Sequence, residues 1–129
     1  MPRTLAEMIG EARSQVEEIA PMVAADEIAS GDAIALDVRE PVEWERHIEG
    51  ALQVPRGLLE FVADPASPKH SPQLDTARRV IVYCRSGSRA ALAAATLKSM
   101  GFEHVANLKG GINGWTEAGL PVAEHHADL

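Results

Sequence analysis

The chain has 129 residues, 46% of them hydrophobic, so it can bury the core of one ordinary domain without disulfides or a structural metal. Its formal net charge of −7 at pH 7 argues against general binding to nucleic acid or to an anionic membrane. The single cysteine cannot form an intramolecular disulfide, and no stretch is apolar enough for a signal peptide or reaches the roughly 20 apolar residues of a membrane span. We therefore expect a cytoplasmic protein.

The first half of the chain predicts two helices and one buried strand. Apolar side chains recur at helical spacing over residues 4–19, and Thr4 with Glu7 forms a capping box at the start of this amphipathic helix. A second, short helix is predicted over residues 23–30. The continuous apolar run at 33–38 predicts a strand of a parallel sheet, because such strands are buried on both faces.

Short segments with weaker patterns follow this strand. Residues 41–47 and 55–63 look helical, and residues 51–54 have the composition of a short strand. The segment 64–72 is rich in Pro and Ser, which predicts a surface loop too short to separate two domains.

The second half of the chain contains the strongest pattern. The strand predicted at 80–83 leads through a polar loop into an alanine-rich helix at 90–100. A strand at 105–108 and a short helix at 110–118 follow, and residues 123–129 are expected to form a loose tail. Strands that alternate with helices predict an α/β domain in which helices flank a mostly parallel central sheet.

Cys84 stands between the clearest strand and the strongest helix, where open parallel sheets place their sites. The loop after it consists of small and cationic residues: Arg85, Ser86, Gly87, Ser88 and Arg89. Small residues allow successive backbone N–H groups to form an anion-binding nest, and the helix N-terminus adds positive charge. A lone cysteine is usually a small buried hydrophobe, but the polar surroundings of Cys84 favour a reactive thiolate.

Four segments, in the same order, resemble the motifs of rhodanese-like domains. They are LDVRE at 36–40, HIEGALQVP at 47–55, VYCRSGSR at 82–89 and LKGGINGW at 108–115 with GLPV at 119–122. The likeness covers about residues 20–122, so the resemblance implies one rhodanese-like domain preceded by a helical extension at 1–19.

The resemblance implies a sulfurtransferase. In this family the loop cysteine, here Cys84, attacks the sulfane sulfur of thiosulfate or of a persulfide donor and becomes a persulfide. It then passes the sulfur to cyanide, to a thiol or to a partner protein in a sulfur relay. Two half-reactions on one cysteine predict ping-pong kinetics, and this chemistry requires neither a cofactor nor a metal. The five histidines show no metal-ligand spacing beyond an adjacent pair at 125 and 126.

The resemblance leaves several arginine roles open. Arg89 either ties the carbonyls of the loop or holds the donor anion, and Arg85 is expected to attract anionic donors. Asp37 and Arg39 resemble a pair at the end of a strand that either braces or charges the rim of the site, with a structural salt bridge as the alternative. Arg56 either faces the site or is a surface arginine at a helix start.

Other functions remain as alternatives. Cysteine-dependent phosphatases and arsenate reductases use a related loop, but with five residues between cysteine and arginine, where this chain has four between Cys84 and Arg89. Tyr83 also stands where tyrosine phosphatases commonly have histidine. A further class is a protein-binding or thiol-sensing module, in which the helix at 4–19 would contact a partner, although we expect it to pack on its own domain.

Overall fold

The computed structural model describes residues 2–124, so residues 125–129 of the expected tail, including His125 and His126, lie outside the described residues. The strands are, in chain order, β1 (Glu17–Ile19), β2 (Ala33–Asp37), β3 (Arg46–His47), β4 (Leu52–Gln53), β5 (Arg79–Tyr83), β6 (Val105–Leu108) and β7 (Ala123–Glu124). The α-helices are α1 (Leu5–Gln15), α2 (Pro21–Ala29), α3 (Leu59–Ala63), α4 (Ser88–Ser99) and α5 (Gly111–Glu117). Two 3₁₀ turns are Pro41–Glu43 and Arg56–Leu58.

The central sheet is parallel and has five strands in the order β1-β6-β5-β2-β4. The side chains of its middle strand, β5, point alternately into two apolar layers, because successive side chains of a strand lie on opposite faces of the sheet. Val80 and Val82 join a core that includes residues of α3 and α4, whereas Ile81 and Tyr83 join one that includes residues of α2 and α5. The predicted α/β class with helices on both faces of a mostly parallel sheet is confirmed.

The N-terminal helix is shorter than predicted. It ends at Gln15, and Glu17–Ile19 form the edge strand β1, which pairs with β6. Val16 and Ile19 fit helical spacing, but both are β-branched and both are buried by strand packing. The unpaired edge of β6 offered hydrogen bonds that overrode the local helical pattern.

The prediction of a helix over 41–47 was wrong. A single 3₁₀ turn covers Pro41–Glu43, and Arg46–His47 then pair antiparallel with Ala123–Glu124. The partner strand lies at the start of the expected tail, so this small sheet depends on a contact that no local pattern reveals. Within residues 2–124, no helix is both long and apolar enough to cross a membrane.

Candidate active site

Cys84 directly follows β5 and its side chain is almost fully buried, with 1% exposed. Its Sγ accepts hydrogen bonds from two backbone N–H groups, that of Gly87 at 3.1 Å and that of Ala90 at 3.3 Å. Gly87 is the N-cap of α4 and has φ of +121°, a conformation that glycine tolerates far better than other residues. The sulfur therefore takes the place of a capping oxygen at the start of α4.

The remaining loop residues surround this position. Arg85 and Ser86 are exposed, and Ser88 and Arg89 are half-buried in the first turn of α4. The first N–H groups of an α-helix have no intrahelical acceptor, so those of Ser88 and Arg89 add to the positive end of the helix. This arrangement can stabilise negative charge on a sulfur atom near Cys84.

The backbone of the loop is held from outside by the start of α5. Ile112 N–H donates to the carbonyl of Cys84 at 2.9 Å, and Asn113 N–H donates to that of Arg85 at 3.1 Å. Gly111 makes this approach possible, since a Cβ there would lie 2.5 Å from the Arg85 carbonyl oxygen and 2.6 Å from that of Cys84. Gly111 also has φ of +61°. Gly111 is thus required by the close contact between α5 and the cysteine loop.

Among residues 2–124, Arg89 pairs with a carboxylate and does not tie the carbonyls of its own loop, whereas the other expected role, holding the donor anion, stays a prediction. Its Nη1 and Nη2 donate to Oε1 and Oε2 of Glu43 at 2.7 and 2.8 Å. These bonds, with a smaller contribution from the Glu40 N–H, lower the pKa of Glu43 to about 2. Glu43 in turn raises the pKa of Arg89. The guanidinium is therefore matched by a carboxylate of the 3₁₀ turn Pro41–Glu43, and it is not engaged by carbonyls of its own loop.

Asp37 and Arg39 form a buried salt bridge, with side chains 0% and 6% exposed. Arg39 Nε and Nη2 donate to Asp37 at 3.0 and 2.9 Å, and Nη2 also donates to the carbonyl of Arg46 at 2.7 Å. Burial lowers the pKa of Arg39, but the bonds and charge of Asp37 outweigh it and raise the pKa. The Arg39 guanidinium lies 5.7 Å from the ring centre of Tyr83, whose pKa is raised by burial and then by Asp37. The pair braces the end of β2 against β3 and β5.

Arg56 lies elsewhere on the molecule. Its guanidinium donates to Glu60 at 3.0 Å and to Thr96 at 3.1 Å, so it joins the second 3₁₀ turn to α4. It lines a cavity between α1 and α4. The structure therefore describes Arg56 as an arginine at the start of a 3₁₀ turn, away from the cavity beside Cys84.

An open cavity of about 320 Å³ adjoins the cysteine loop. Its charged and polar lining residues are Arg39, Glu43, Glu45, Arg46, Arg85, Asn113 and Thr116. The cavity is large enough for a small anion or for the thiol of an acceptor molecule. Across residues 2–124, no group of three or more His, Cys, Asp and Glu side chains is arranged to hold a metal ion.

Two residues at the site were missed from the sequence. Asn107 is buried in β6, and its Nδ2 donates to the Gly87 carbonyl at 3.3 Å and to Glu18 Oε2 at 3.0 Å. Its Oδ1 is buried and has no partner among the described residues. An asparagine inside an apolar strand was a signal that could have found it. Glu43 gave no such signal, because its partner Arg89 is distant in sequence.

The fold and the loop define a class of protein: a small α/β domain that holds a single cysteine among backbone amides at the carboxyl end of its central strand. A model of the rhodanese-like domain family matches residues 21–118, and the chain belongs to this family. The resemblance drawn from the four sequence motifs is thereby confirmed.

Several known proteins are similar to this chain. The probable adenylyltransferase/sulfurtransferase MoeZ of Mycobacterium tuberculosis is 37% identical over 80% of this chain, which spans 25% of that protein's length. A sulfurtransferase of Allochromatium vinosum is 37% identical, covering 70% of this chain and 78% of that protein. A Rhodopseudomonas palustris protein of unknown function, described as a possible tyrosine phosphatase, has a TM-score of 0.87 at 35% identity, covering 95% of this chain and 96% of its own.

Proposed function

We propose that this protein is a sulfurtransferase that carries sulfane sulfur as a persulfide on Cys84. The observation that carries the proposal is the pair of N–H groups, from Gly87 and Ala90, that converge on Sγ at the start of α4. Hydrogen-bond donors fixed in a nearly dry site favour negative charge on sulfur, in the thiolate before transfer and in the persulfide after it. Relatives named as sulfurtransferases support the same activity.

In the first half-reaction the Cys84 thiolate attacks the outer sulfur of thiosulfate. A new S–S bond forms, the S–S bond of thiosulfate breaks, and sulfite leaves with the electron pair. Cys84 is left as a persulfide anion. With a low-molecular-weight persulfide as donor, the leaving group is a thiolate instead of sulfite.

In the second half-reaction a nucleophile attacks the terminal sulfur of the persulfide. The S–S bond to Cys84 breaks, and its electron pair returns to Sγ as the thiolate. Cyanide leaves as thiocyanate and a thiolate leaves as a new persulfide, so neither step needs a metal, a cofactor or an external oxidant. A putative sulfur carrier protein of Bacillus subtilis, 32% identical over 82% of this chain, supports a protein acceptor in a sulfur relay.

A phosphatase is the second candidate, because the similar Rhodopseudomonas protein is described as a possible tyrosine phosphatase. Two features favour sulfur transfer. Four residues, not five, separate Cys84 from Arg89, which makes a narrower ring of amides than a phosphate needs. Arg89 is also held by Glu43, so its charge is already matched before a phosphate arrives.

The cytoplasm remains the proposed location, because one reduced cysteine is all that this chemistry uses and a reducing compartment preserves it.

The proposal is tested by intact-mass measurement under non-reducing conditions. The reduced protein is incubated with thiosulfate or with glutathione persulfide, beside Cys84→Ser as the matched control. We expect the wild type to gain one sulfur atom that cyanide removes, and the variant to gain none. A folded protein with an alkylatable Cys84 that gains no sulfur from either donor contradicts the proposal, and turnover of aryl phosphates then tests the phosphatase.

A further inference from the structure

Two of the arginines near the cysteine loop are matched by carboxylates. Arg89 is held by Glu43, and Arg39 is held by Asp37. An anion that approaches Cys84 therefore meets neutral pairs at these two positions. Arg85 and Arg46 are exposed, line the cavity beside the loop and have no salt-bridge partner among residues 2–124.

A further cation comes from the N-terminal helix, outside the segment that matches the family. Arg13 lies in the last turn of α1 and is exposed. Its Nη2 is 3.5 Å from the position that a Cβ would take on Gly87. Because the Gly87 N–H donates to Sγ at 3.1 Å, standard bond lengths place Nη2 within about 10 Å of the Cys84 sulfur.

Arg13 is available to a ligand. Across residues 2–124 its guanidinium has no carboxylate within salt-bridge distance, in contrast to Arg39 and Arg89. A negative group connected to the loop on this side is Glu18, whose carboxylate accepts from Asn107 Nδ2, which also donates to the Gly87 carbonyl.

The position of Arg13 is set by packing on both sides. Lys98 Nζ of α4 donates to the carbonyl of Gln15 at 2.6 Å, which anchors the end of α1. The residues after α1 form β1 in the central sheet. There, Asn107 Nδ2 donates both to the carboxylate of Glu18 and to the carbonyl of Gly87. The segment that carries Arg13 is thus connected to the cysteine loop through α4 and β6.

We infer that Arg13 is a specificity-determining residue that binds the anionic group of the sulfur donor beside Gly87 of the cysteine loop. The inference deepens the proposed sulfurtransferase function and rests on it. The donor class it selects carries negative charge next to the sulfane sulfur, as the sulfonate of thiosulfate or the carboxylates of a peptide persulfide do. Arg13 attracts and positions this charge and takes no part in bond breaking, so its effect falls on donor binding.

Steady-state kinetics of Arg13→Gln test the inference, with thiosulfate as the charged donor and, for comparison, the persulfide of 2-mercaptoethanol, whose organic part carries no charge and leaves as a thiolate. The matched control is Arg78→Gln, which removes the same charge from an exposed residue directly before β5, at the amino end of the strand whose carboxyl end leads to Cys84. We expect the KM for thiosulfate to rise about threefold to tenfold in Arg13→Gln, with kcat within about twofold, and Arg13→Lys to retain most of the affinity. Kinetics with the 2-mercaptoethanol persulfide stay unchanged in every variant.

The dependence of KM on salt concentration is a second test of the inference. An attraction between Arg13 and an anion weakens as ionic strength rises, so the KM of the wild type for thiosulfate should climb more steeply with salt than that of Arg13→Gln. Equal KM values for thiosulfate in the wild type and Arg13→Gln, in a protein that does form the persulfide, overturn the inference.

Alkylation of Cys84 provides a test that does not depend on sulfur transfer. Iodoacetate is an anion and iodoacetamide is neutral, so the ratio of their rates reports charge attraction and cancels any change in the nucleophilicity of the thiol. We expect Arg13→Gln to lower this ratio about twofold to fivefold and Arg78→Gln to leave it unchanged. An unchanged ratio overturns the anion-binding role. If the wild type forms no persulfide, the proposed function fails, and the ratio still decides whether Arg13 attracts anions to Cys84.

Discussion

Arg89 and Glu43 connect the end of the cysteine loop to the 3₁₀ turn that follows β2, through two bonds of 2.7 and 2.8 Å. Both side chains are only partly exposed, at 40% and 25%. The arginine that ends the loop motif thus forms an ion pair that connects two segments 46 residues apart in the chain. Its charge is compensated before any donor arrives.

Glu43→Gln should weaken the interaction between Arg89 and the 3₁₀ turn, because it removes the charge of the carboxylate. The folded protein holds the pKa of Glu43 at about 2, below its ordinary 4.5, so the stabilisation is complete above about pH 4.5 and is lost as pH falls toward 2. We expect the variant to lose about 1 kcal/mol in free energy of unfolding at pH 7, and the difference from wild type to shrink toward pH 3. Urea unfolding at several pH values measures it. Glu45→Gln, which changes a nearby exposed carboxylate, is the control, and a pH-independent difference contradicts the prediction.

Gly111→Ala should destabilise the protein and disturb the cysteine loop. The new methyl group would lie 2.5 Å from the Arg85 carbonyl oxygen, on a backbone with φ of +61°. We expect a loss of about 3 kcal/mol, combining overpacking with the cost of a left-handed alanine. Gly31→Ala separates the two causes, because Gly31 has φ of +82° and open space around it, and it should cost about 1 kcal/mol. Urea unfolding measures both variants. Equal losses in their free energy of unfolding would show that the contact between Gly111 and the cysteine loop adds nothing to the cost of a left-handed alanine.

Asp37→Asn should leave the Arg39 guanidinium buried without a matching charge. Removing one partner of a buried ion pair costs about 3–5 kcal/mol. Because the amide oxygen of asparagine keeps part of the hydrogen bonding, we expect the free energy of unfolding to fall by about 3 kcal/mol, at the lower end of this range. Asp75→Asn is the control, since Asp75 accepts a similar backbone bond from Ala77 at 2.9 Å but is exposed and has no arginine partner. Chemical unfolding of both variants measures the effect. A loss below about 1 kcal/mol for Asp37→Asn would mean that water reaches Arg39.

Cys84→Ala should be less stable than Cys84→Ser. Serine retains an acceptor for the N–H groups of Gly87 and Ala90, whereas alanine leaves both without one at the start of α4. Loss of an N-cap acceptor costs about 1 kcal/mol, and we expect this difference between the variants in urea unfolding. Equal stabilities would mean that Sγ does not cap the helix, which would also weaken the electrostatic basis of the proposed persulfide site.

The amino-acid sequence was sufficient for the features whose signals are local. The apolar run of β5, the small residues after Cys84 and the alanine-rich α4 each have their own pattern, and together they predicted the strand, the loop and the helix. The same holds for the α/β class, because alternating strands and helices leave few other ways to bury their apolar faces. The motifs between residues 36 and 122 identified the family for the same reason.

Other features depend on contacts between distant segments, and no local pattern contains them. The edge strand β1 and the pair β3–β7 are two or three residues long, and their hydrogen bonds come from partners far along the chain. The carboxylate partner of Arg89 and the position of Arg13 beside Gly87 were likewise hidden. A long side chain can reach many neighbours, and only the packing of α1, α4 and the turn after β2 decides which carboxylate or loop it meets. The sequence by itself thus determined the fold class and the place of Cys84, whereas tertiary packing alone decided which charges around Cys84 are matched and which remain available to an anion.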